Sequence, residues 1–438
     1  MKLFKKFKKG FTIVELVVVI AVIAILAATS IGVYFGMVDS ANRSADQTAV
    51  VQMNKVLVLE NTLGNVDSIL DVHEVFERNG LTAKNYTALK TGYKFYYDEE
   101  ENKILYVNSN DVVEFPEEEV GKDHSTHNWY SLNLSIDKEK APKNNEGSYV
   151  ISKPQQLAYV FDELNTSATS TQTKIILEND IDMRGASIVV DTLKAGSSFT
   201  LESSDGTVKT IKNLVSNKSH LKSLSGFGVA TSYYTATLFG TVAGDVTINN
   251  IKFENAHVKD EEGSTVSILF GLVSKGNVAL NNVEFLDCSV TGGRNVGLVA
   301  GNNQQSLNSS LKLTGIKATN STVNAKHGRP GLLVGMMEYG HSSFVFNMSN
   351  ITLTNSSMKK VGSYEFTTEM PAGFDEPYAY PTDLVDEQVY ISFLKENTKS
   401  TYAFLESAIV TYRYGTTSKS PLAAITDVSS PITALVRG

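Results

Sequence analysis

Asn250-Ile251-Lys252-Phe253-Glu254-Asn255-Ala256-His257-Val258 is echoed three times further along the chain. The echoes are Asn282-Val283-Glu284-Phe285-Leu286-Asp287-Cys288-Ser289-Val290, Gly315-Ile316-Lys317-Ala318-Thr319-Asn320-Ser321-Thr322-Val323 and Asn350-Ile351-Thr352-Leu353-Thr354-Asn355-Ser356-Ser357-Met358. The aliphatic second position recurs at intervals of 32, 33 and 35 residues. Each segment follows a glycine-rich apolar element: Leu238-Phe239-Gly240, Leu269-Phe270-Gly271-Leu272-Val273, Gly297-Leu298-Val299-Ala300-Gly301 and Gly331-Leu332-Leu333-Val334-Gly335. A period of this length, with several short strands per unit, predicts stacked coils, because one unit alone cannot bury its apolar face. Each unit then forms one coil of a parallel β-helix, and successive Ile, Val and Phe positions stack into a common core. Asn255, Asp287, Asn320 and Asn355 fall at a turn, where side-chain amides can pair from coil to coil. Helical repeats of similar period do not fit, because the units lack a 3.6-residue apolar rhythm.

The predicted coils cover residues 149–360. They resemble bacterial surface proteins with Gly-Leu-Val-Gly β-solenoid repeats. The stretch Ile151-Ser152-Lys153-Pro154-Gln155-Gln156-Leu157-Ala158-Tyr159, followed by Ile175-Ile176-Leu177-Glu178-Asn179-Asp180-Ile181-Asp182-Met183, is similar to the start of such domains. The resemblance implies a right-handed parallel β-helix (solenoid) ectodomain, preceded by a short capping helix. Residues 361–438, with five prolines and the strand-like runs Val389–Phe393 and Ala408–Tyr412, read as a β region that covers the open end.

Parallel β-helices include polysaccharide lyases and hydrolases, which need clustered carboxylates or a base beside Arg or Lys. Glu254, Glu284, Asp287, Arg294 and Arg329 are available here, but no motif groups them. Asp180 and Asp182 share a strand face and read as caps of the first coil rather than a calcium site or an acid/base pair. Cys288 has no histidine partner motif and is expected in the core. The expected catalytic set is therefore empty and no cofactor is implied. A membrane-anchored polysaccharide-active enzyme stands as the alternative, on fold analogy alone.

The opposite end carries the second informative stretch, Gly10-Phe11-Thr12-Ile13-Val14-Glu15. It lies between a leader bearing Lys2, Lys5, Lys6, Lys8 and Lys9 and the uncharged run Leu16–Val38. As a helix that run is about 35 Å long at ~1.5 Å per residue, enough to cross a hydrocarbon core. The lysines belong on the cytoplasmic side, with the C-terminal bulk outside. The segment resembles the N-terminus of type IV prepilins and pseudopilins, on Gly10, Phe11, Thr12 and Glu15. The resemblance implies a prepilin peptidase that cuts between Gly10 and Phe11, N-methylation of Phe11, and a role for Glu15 in subunit assembly. An ordinary secretory signal would place its cut after the apolar run. A carboxylate at Glu15 is costly in lipid and calls for a partner, and cleavage creates an amine at Phe11 that can serve. Ala24, Ala28, Gly32 and Gly36 form a small-residue stripe that lets helices approach closely.

These readings divide the chain into a leader (1–10), a pilin helix (11–64, crossing the membrane over 11–38), a small α/β pilin-like domain (65–120), a linker (121–148), the coils (149–360) and the C-terminal cap (361–438). The fold class is α+β. Within the small domain a helix is expected over Val66–Asn79. A hairpin is expected from Tyr93–Tyr97 and Lys103–Val107 around the acidic turn Asp98-Glu99-Glu100-Glu101-Asn102. That turn lacks the spacing of a calcium loop and reads as solvated. His124 and His127 read as surface residues of the linker, with no third ligand evident, so no metal is expected. Trp129 is either a binding aromatic or a packing residue.

Loss of the leader would leave 34 basic and 47 acidic residues, a formal charge of −13. That balance does not favour nucleic acid. One cysteine permits no intrachain disulfide, unlike many Gram-negative pilins, and a Gram-positive host fits better. The expected partners are prepilin peptidase, other pilin or pseudopilin subunits, the cytoplasmic membrane, and surface glycans or other cells. The expected location is the cytoplasmic membrane before assembly and an extracellular filament after it.

Overall fold

The computed structural model describes residues 13–66, 68–167, 169–217, 220–222, 232–304, 309–326, 329–339 and 345–360, together with strands Tyr390–Phe393, Val410–Tyr414 and Ile432–Leu435. The chain forms two compact units. One comprises Met1–Asp67 and Glu74–His127, the other Ser68–His73 and Asn128–Gly438.

In the first unit, helix α1 (Ile13–Thr62) runs for 50 residues. Its N-terminal half leaves a band of large apolar side chains uncovered. Ile13, Leu16–Ile20, Val22, Ile23 and Ile25 are 46% to 81% exposed. Among the described residues no helix is long and apolar enough to cross a membrane. The side chains of residues 26–33, in the middle of the uncharged run, lie outside the described set. The C-terminal half is buried on one face by Asp46, Val50, Met53, Leu57 and Glu60, at alternating steps of four and three that keep them on one stripe. The division between the units falls within helix α2 (Ile69–Arg78), which is shorter than expected at both ends. Strands β1 (Tyr93–Asp98), β2 (Lys103–Asn108) and β3 (Val113–Phe115) run antiparallel in the order β3-β2-β1, with Tyr93 opposite Asn108 and Asp98 opposite Lys103.

Two side chains of α1 bind this sheet and its flank. The Asn54 amide donates to Ile104 O at 3.1 Å and accepts from Ile104 N at 2.7 Å, as a neighbouring strand would. Asp46, 2% exposed, accepts from Leu89 N at 2.8 Å, Lys90 N at 3.0 Å and Tyr106 Oη at 3.0 Å. Burial, helped by the Asp46 carboxylate, pushes the Tyr106 phenol far above its usual range.

The second unit begins with helix α3 (Pro154–Thr166), which has proline in its first turn and buries Leu157, Val160, Phe161 and Leu164. A short helix is therefore present where the resemblance implies one. Beyond it the chain builds four parallel ladders. The longest adds Gln172–Leu177, Ser198–Ser203, Asp245–Glu254, Asn277–Leu286 and Ser310–Thr314 in sequence. A second adds Val190–Leu193, Phe239–Val242, Phe270–Val273 and Ala300–Gln304. A third adds His257–Asp260, Ser289–Gly292 and Thr322–Ala325, and a fourth Thr265–Ser267 and Asn295–Gly297. The aligned repeat segments pair in the expected register: Ile251 lies opposite Val283, and Phe253 opposite Phe285. The rings of Phe253 and Phe285 stack at 5.8 Å. Phe161, Phe199, Phe239 and Phe270 form a second aromatic series, with neighbouring centroids 5.0–6.3 Å apart.

The repeated polar positions have a backbone cause. Asn250, Asn282 and Asn350 open three segments at φ 52–56°, and Gly315 opens the remaining one at φ 66°. Asn255, Asp287, Asn320 and Asn355 sit at φ 47–53°. Asn, Asp and Gly tolerate this left-handed conformation best. The predicted ladder of side chains forms in part, with Asn320 donating to Asp287 at 3.0 Å. A second pairing, Asn282 to Asn250 at 2.8 Å, lies at the other corner. The glycine-rich elements are explained by close approach. A Cβ at Gly301 would sit 2.6 Å from Val266 N, and one at Gly297 2.7 Å from Leu333 O, both backbone atoms of neighbouring segments.

Residues predicted as a linker are partly built into the second unit. Trp129, Tyr130, Leu132 and Ala141 are buried. Ser131 N donates to Arg184 O at 2.8 Å. Polar composition concealed these few anchors. Of the C-terminal cap, Val410–Tyr414 adds in parallel to Val334–Tyr339, and Tyr390–Phe393 pairs with Ile432–Leu435. The remainder of 361–438 lies outside the described residues.

Candidate functional sites

Gly10 and Phe11 lie outside the described residues. Glu15, Ala28 and Gly32 belong to α1, but their side chains are outside the described set. Ala24 and Gly36 are exposed, and nothing lies within 4 Å of where a Cβ on Gly36 would be. The half of α1 that carries the motif thus presents uncovered apolar surface.

In the second unit the acidic candidates are engaged in structure. Asp180 Oδ1 accepts from Thr210 N at 2.7 Å. Asp182 Oδ1 accepts from Arg184 N and Asn213 Nδ2, each at 2.9 Å. Each carboxylate therefore ties its own segment to one that lies 30 or 31 residues later in the chain. Glu254 pairs with Lys252 and Glu284 with Lys317, each at 2.6 Å. Asp287 holds Asn320. Arg294 is exposed, and the side chain of Arg329 lies outside the described set. Cys288 is buried as expected, its Sγ 3.4 Å from the carbonyl oxygens of Phe253 and Leu286. Burial pushes its thiol up to about 12, which removes thiolate reactivity.

His257 is a half-buried titratable group that the repeat pattern did not single out. Its Nδ1 lies 2.8 Å from Ser289 Oγ and its Nε2 3.5 Å from Tyr130 Oη. Burial lowers its pKa from 6.5 to about 4, against the opposing charges of Asp71 and Asp287. The unfolded chain takes up this proton first as pH falls. Stability from neutral His257 is therefore complete above pH 6.5 and is lost progressively down to about pH 4. The loss is at most about 3 kcal/mol. Denaturant titrations at neutral and mildly acidic pH should show a larger drop in wild type than in His257→Gln. An equal drop in both would show that His257 is not the group responsible.

The first unit contains a cluster that the sequence reading missed. Asp98 is fully buried at the end of β1, and the His124 and His127 side chains are only 5% and 18% exposed. His127 Nδ1 lies 2.8 Å and His124 Nδ1 3.2 Å from Asp98 Oδ2, and the two ring nitrogens are 3.3 Å apart. The histidines are thus not solvated linker residues, and a third ligand-type group exists. The hydrogen bond that His127 donates to Asp98, helped by the charges of Glu100 and Glu101, raises the His127 pKa. The acidic turn is also only partly solvated, because Asp98 turns inward while its Oδ1 accepts from Glu101 N at 3.1 Å. The signal available in the sequence was the His-x-x-His spacing. The carboxylate lay 26 residues upstream and is brought there only by the hairpin.

Comparison with known proteins bears on the N-terminus. Residues 5–31 match the prokaryotic N-terminal methylation motif. No curated protein matches the chain. Among solved structures, a candidate immunoglobulin A1 protease from Bacteroides ovatus is 12% identical, covering 56% of this chain and 84% of that one. Its TM-score of 0.26 supports no inference about fold or activity. The methylation motif implies processing by prepilin peptidase and assembly with other pilins, and it is consistent with a membrane-anchored precursor and a surface pilus. The chain carries, over residues 5–31, the N-terminal segment of a type IV prepilin.

Proposed function

We propose that this protein is a minor type IV pilin or pseudopilin whose N-terminal helix packs into a filament and whose second unit is a β-solenoid displayed for binding. The observation that carries the reading is the methylation motif at residues 5–31, set on a helix with uncovered apolar side chains. Cleavage follows Gly10, and the new N-terminal Phe11 is methylated. Residues 11–38 cross the cytoplasmic membrane before assembly. Glu15 then pairs with the Phe11 amine of a neighbouring subunit, which removes the cost of a lone carboxylate in an apolar surround. The stripe from Ala24 to Gly36 sets the closest helix approach.

The right-handed solenoid reading draws support from four parallel ladders in register and from their left-handed corners. The size of this unit favours a tip or minor position over a slim major subunit. Its long ladders suit the binding of surface glycans or other cells. A non-catalytic role is favoured because Asp180 and Asp182 hold backbone and Asn213 rather than facing each other across a cleft. Intact-mass measurement of the chain recovered from filaments tests the assignment. The expected species starts at Phe11 and carries one added methyl group. A chain that retains Met1 would remove the pilin pathway.

A further inference from the structure

Three ligand-type atoms of the first unit form a triangle. Asp98 Oδ2, His124 Nδ1 and His127 Nδ1 are separated by 2.8, 3.2 and 3.3 Å. A tetrahedral zinc ion with bonds of about 2.0–2.1 Å places neighbouring ligands roughly 3.3–3.4 Å apart. The triangle is therefore close to one face of such a tetrahedron, and an ion requires shifts of a few tenths of an ångström.

The surrounding atoms fit the same reading. His124 Nε2 lies 3.3 Å from the Glu119 carbonyl oxygen, a contact that an Nε2–H satisfies. That tautomer leaves a lone pair on Nδ1, as metal-binding histidines require. The lone pair then faces a carboxylate oxygen at 3.2 Å and a second imidazole nitrogen at 3.3 Å. Asp98 Oδ1 is held by Glu101 N, so the carboxylate presents Oδ2 alone. The Glu119 carboxylate does not complete the set, because Lys103 at 2.5 Å and Lys122 at 3.0 Å hold it.

We propose that Asp98, His124 and His127 bind one divalent transition-metal ion, with zinc the best match. Two imidazoles and one carboxylate without sulfur suit zinc and its first-row neighbours rather than calcium or magnesium. The ion would fasten the segment ending at His127 to the tip of the β1–β2 hairpin.

The test uses the full chain in detergent, stripped with chelator and titrated with Zn²⁺ alone by calorimetry. The expected result is one equivalent bound with a dissociation constant of about 1 μM or below. His124→Gln and His127→Gln should each weaken binding by about 100-fold or more, with far-UV circular dichroism unchanged. Zinc should also protect His124 and His127 of the wild-type chain from acylation by diethyl pyrocarbonate, read by peptide mass, which needs no variant to fold. Failure of the wild type to bind at about 100 μM Zn²⁺ would overturn the proposal. Wild-type affinity in a folded double variant, or equal acylation with and without zinc, would overturn it as well.

Discussion

Phe285→Ala is expected to destabilise the second unit by about 4 kcal/mol. The ring is 1% exposed, stacked on Phe253 at 5.8 Å, with Ala318 opposite in the next strand. Ala318 is already small, so truncation at Phe285 leaves two short side chains in succession and a void that neither can fill. The ladders on both sides are held by backbone pairing and cannot close in. The cost therefore includes lost transfer energy and a retained cavity. Thermal unfolding should drop by about 10 °C for a unit of this size. Phe285→Leu should cost less than half as much, because it keeps most of the volume. A loss below about 1 kcal/mol for the alanine variant would mean that the stack is not close-packed.

Asp46→Ala should cost the first unit about 3 kcal/mol. One carboxylate accepts from two backbone N–H groups and from the hydroxyl of the fully buried Tyr106. Alanine leaves these donors without an acceptor, and Tyr106 has no route to water. Leu89 is exposed, so part of the backbone loss is recovered by hydration, which keeps the figure below the sum of three bonds. Amide hydrogen exchange along β2 reports the change, with Leu105–Val107 expected to exchange faster. Unchanged exchange there would show that α1 is held to the sheet by its apolar stripe and Asn54 alone.

The repeats were legible because a period of 32 to 35 residues and an in-register core leave the same residues at the same phase. What the sequence concealed was why Asn recurs. Side-chain pairing accounts for Asn320 on Asp287, yet the feature common to both corner series is positive φ, which Gly315 satisfies with no side chain to pair. The boundaries of α1 and the hairpin were read to within a residue or two, since periodicity and turn residues act locally. The Asp98–His124–His127 cluster was not legible, because it depends on where a hairpin places one carboxylate. The anchoring of Tyr130 and Leu132 was missed for a similar reason: isolated apolar residues in a polar run have no period to betray them.

The left-handed corners also determine where the gene can change length. In each repeat the two left-handed positions are five residues apart, from 250 to 255, 282 to 287, 315 to 320 and 350 to 355. The strands starting at Thr265, Asn295 and Arg329 likewise precede those at Phe270, Ala300 and Val334 by a constant step. All the drift in period falls in two connections. One follows the strands ending at Asp260, Gly292 and Ala325, and the other follows those ending at Val273, Gln304 and Tyr339. Codons gained or lost there leave every ladder in phase. One codon lost between the corners would send the following inward side chains to the outside. Changes of length at those two connections are therefore the ones that the paired strands tolerate without losing their register.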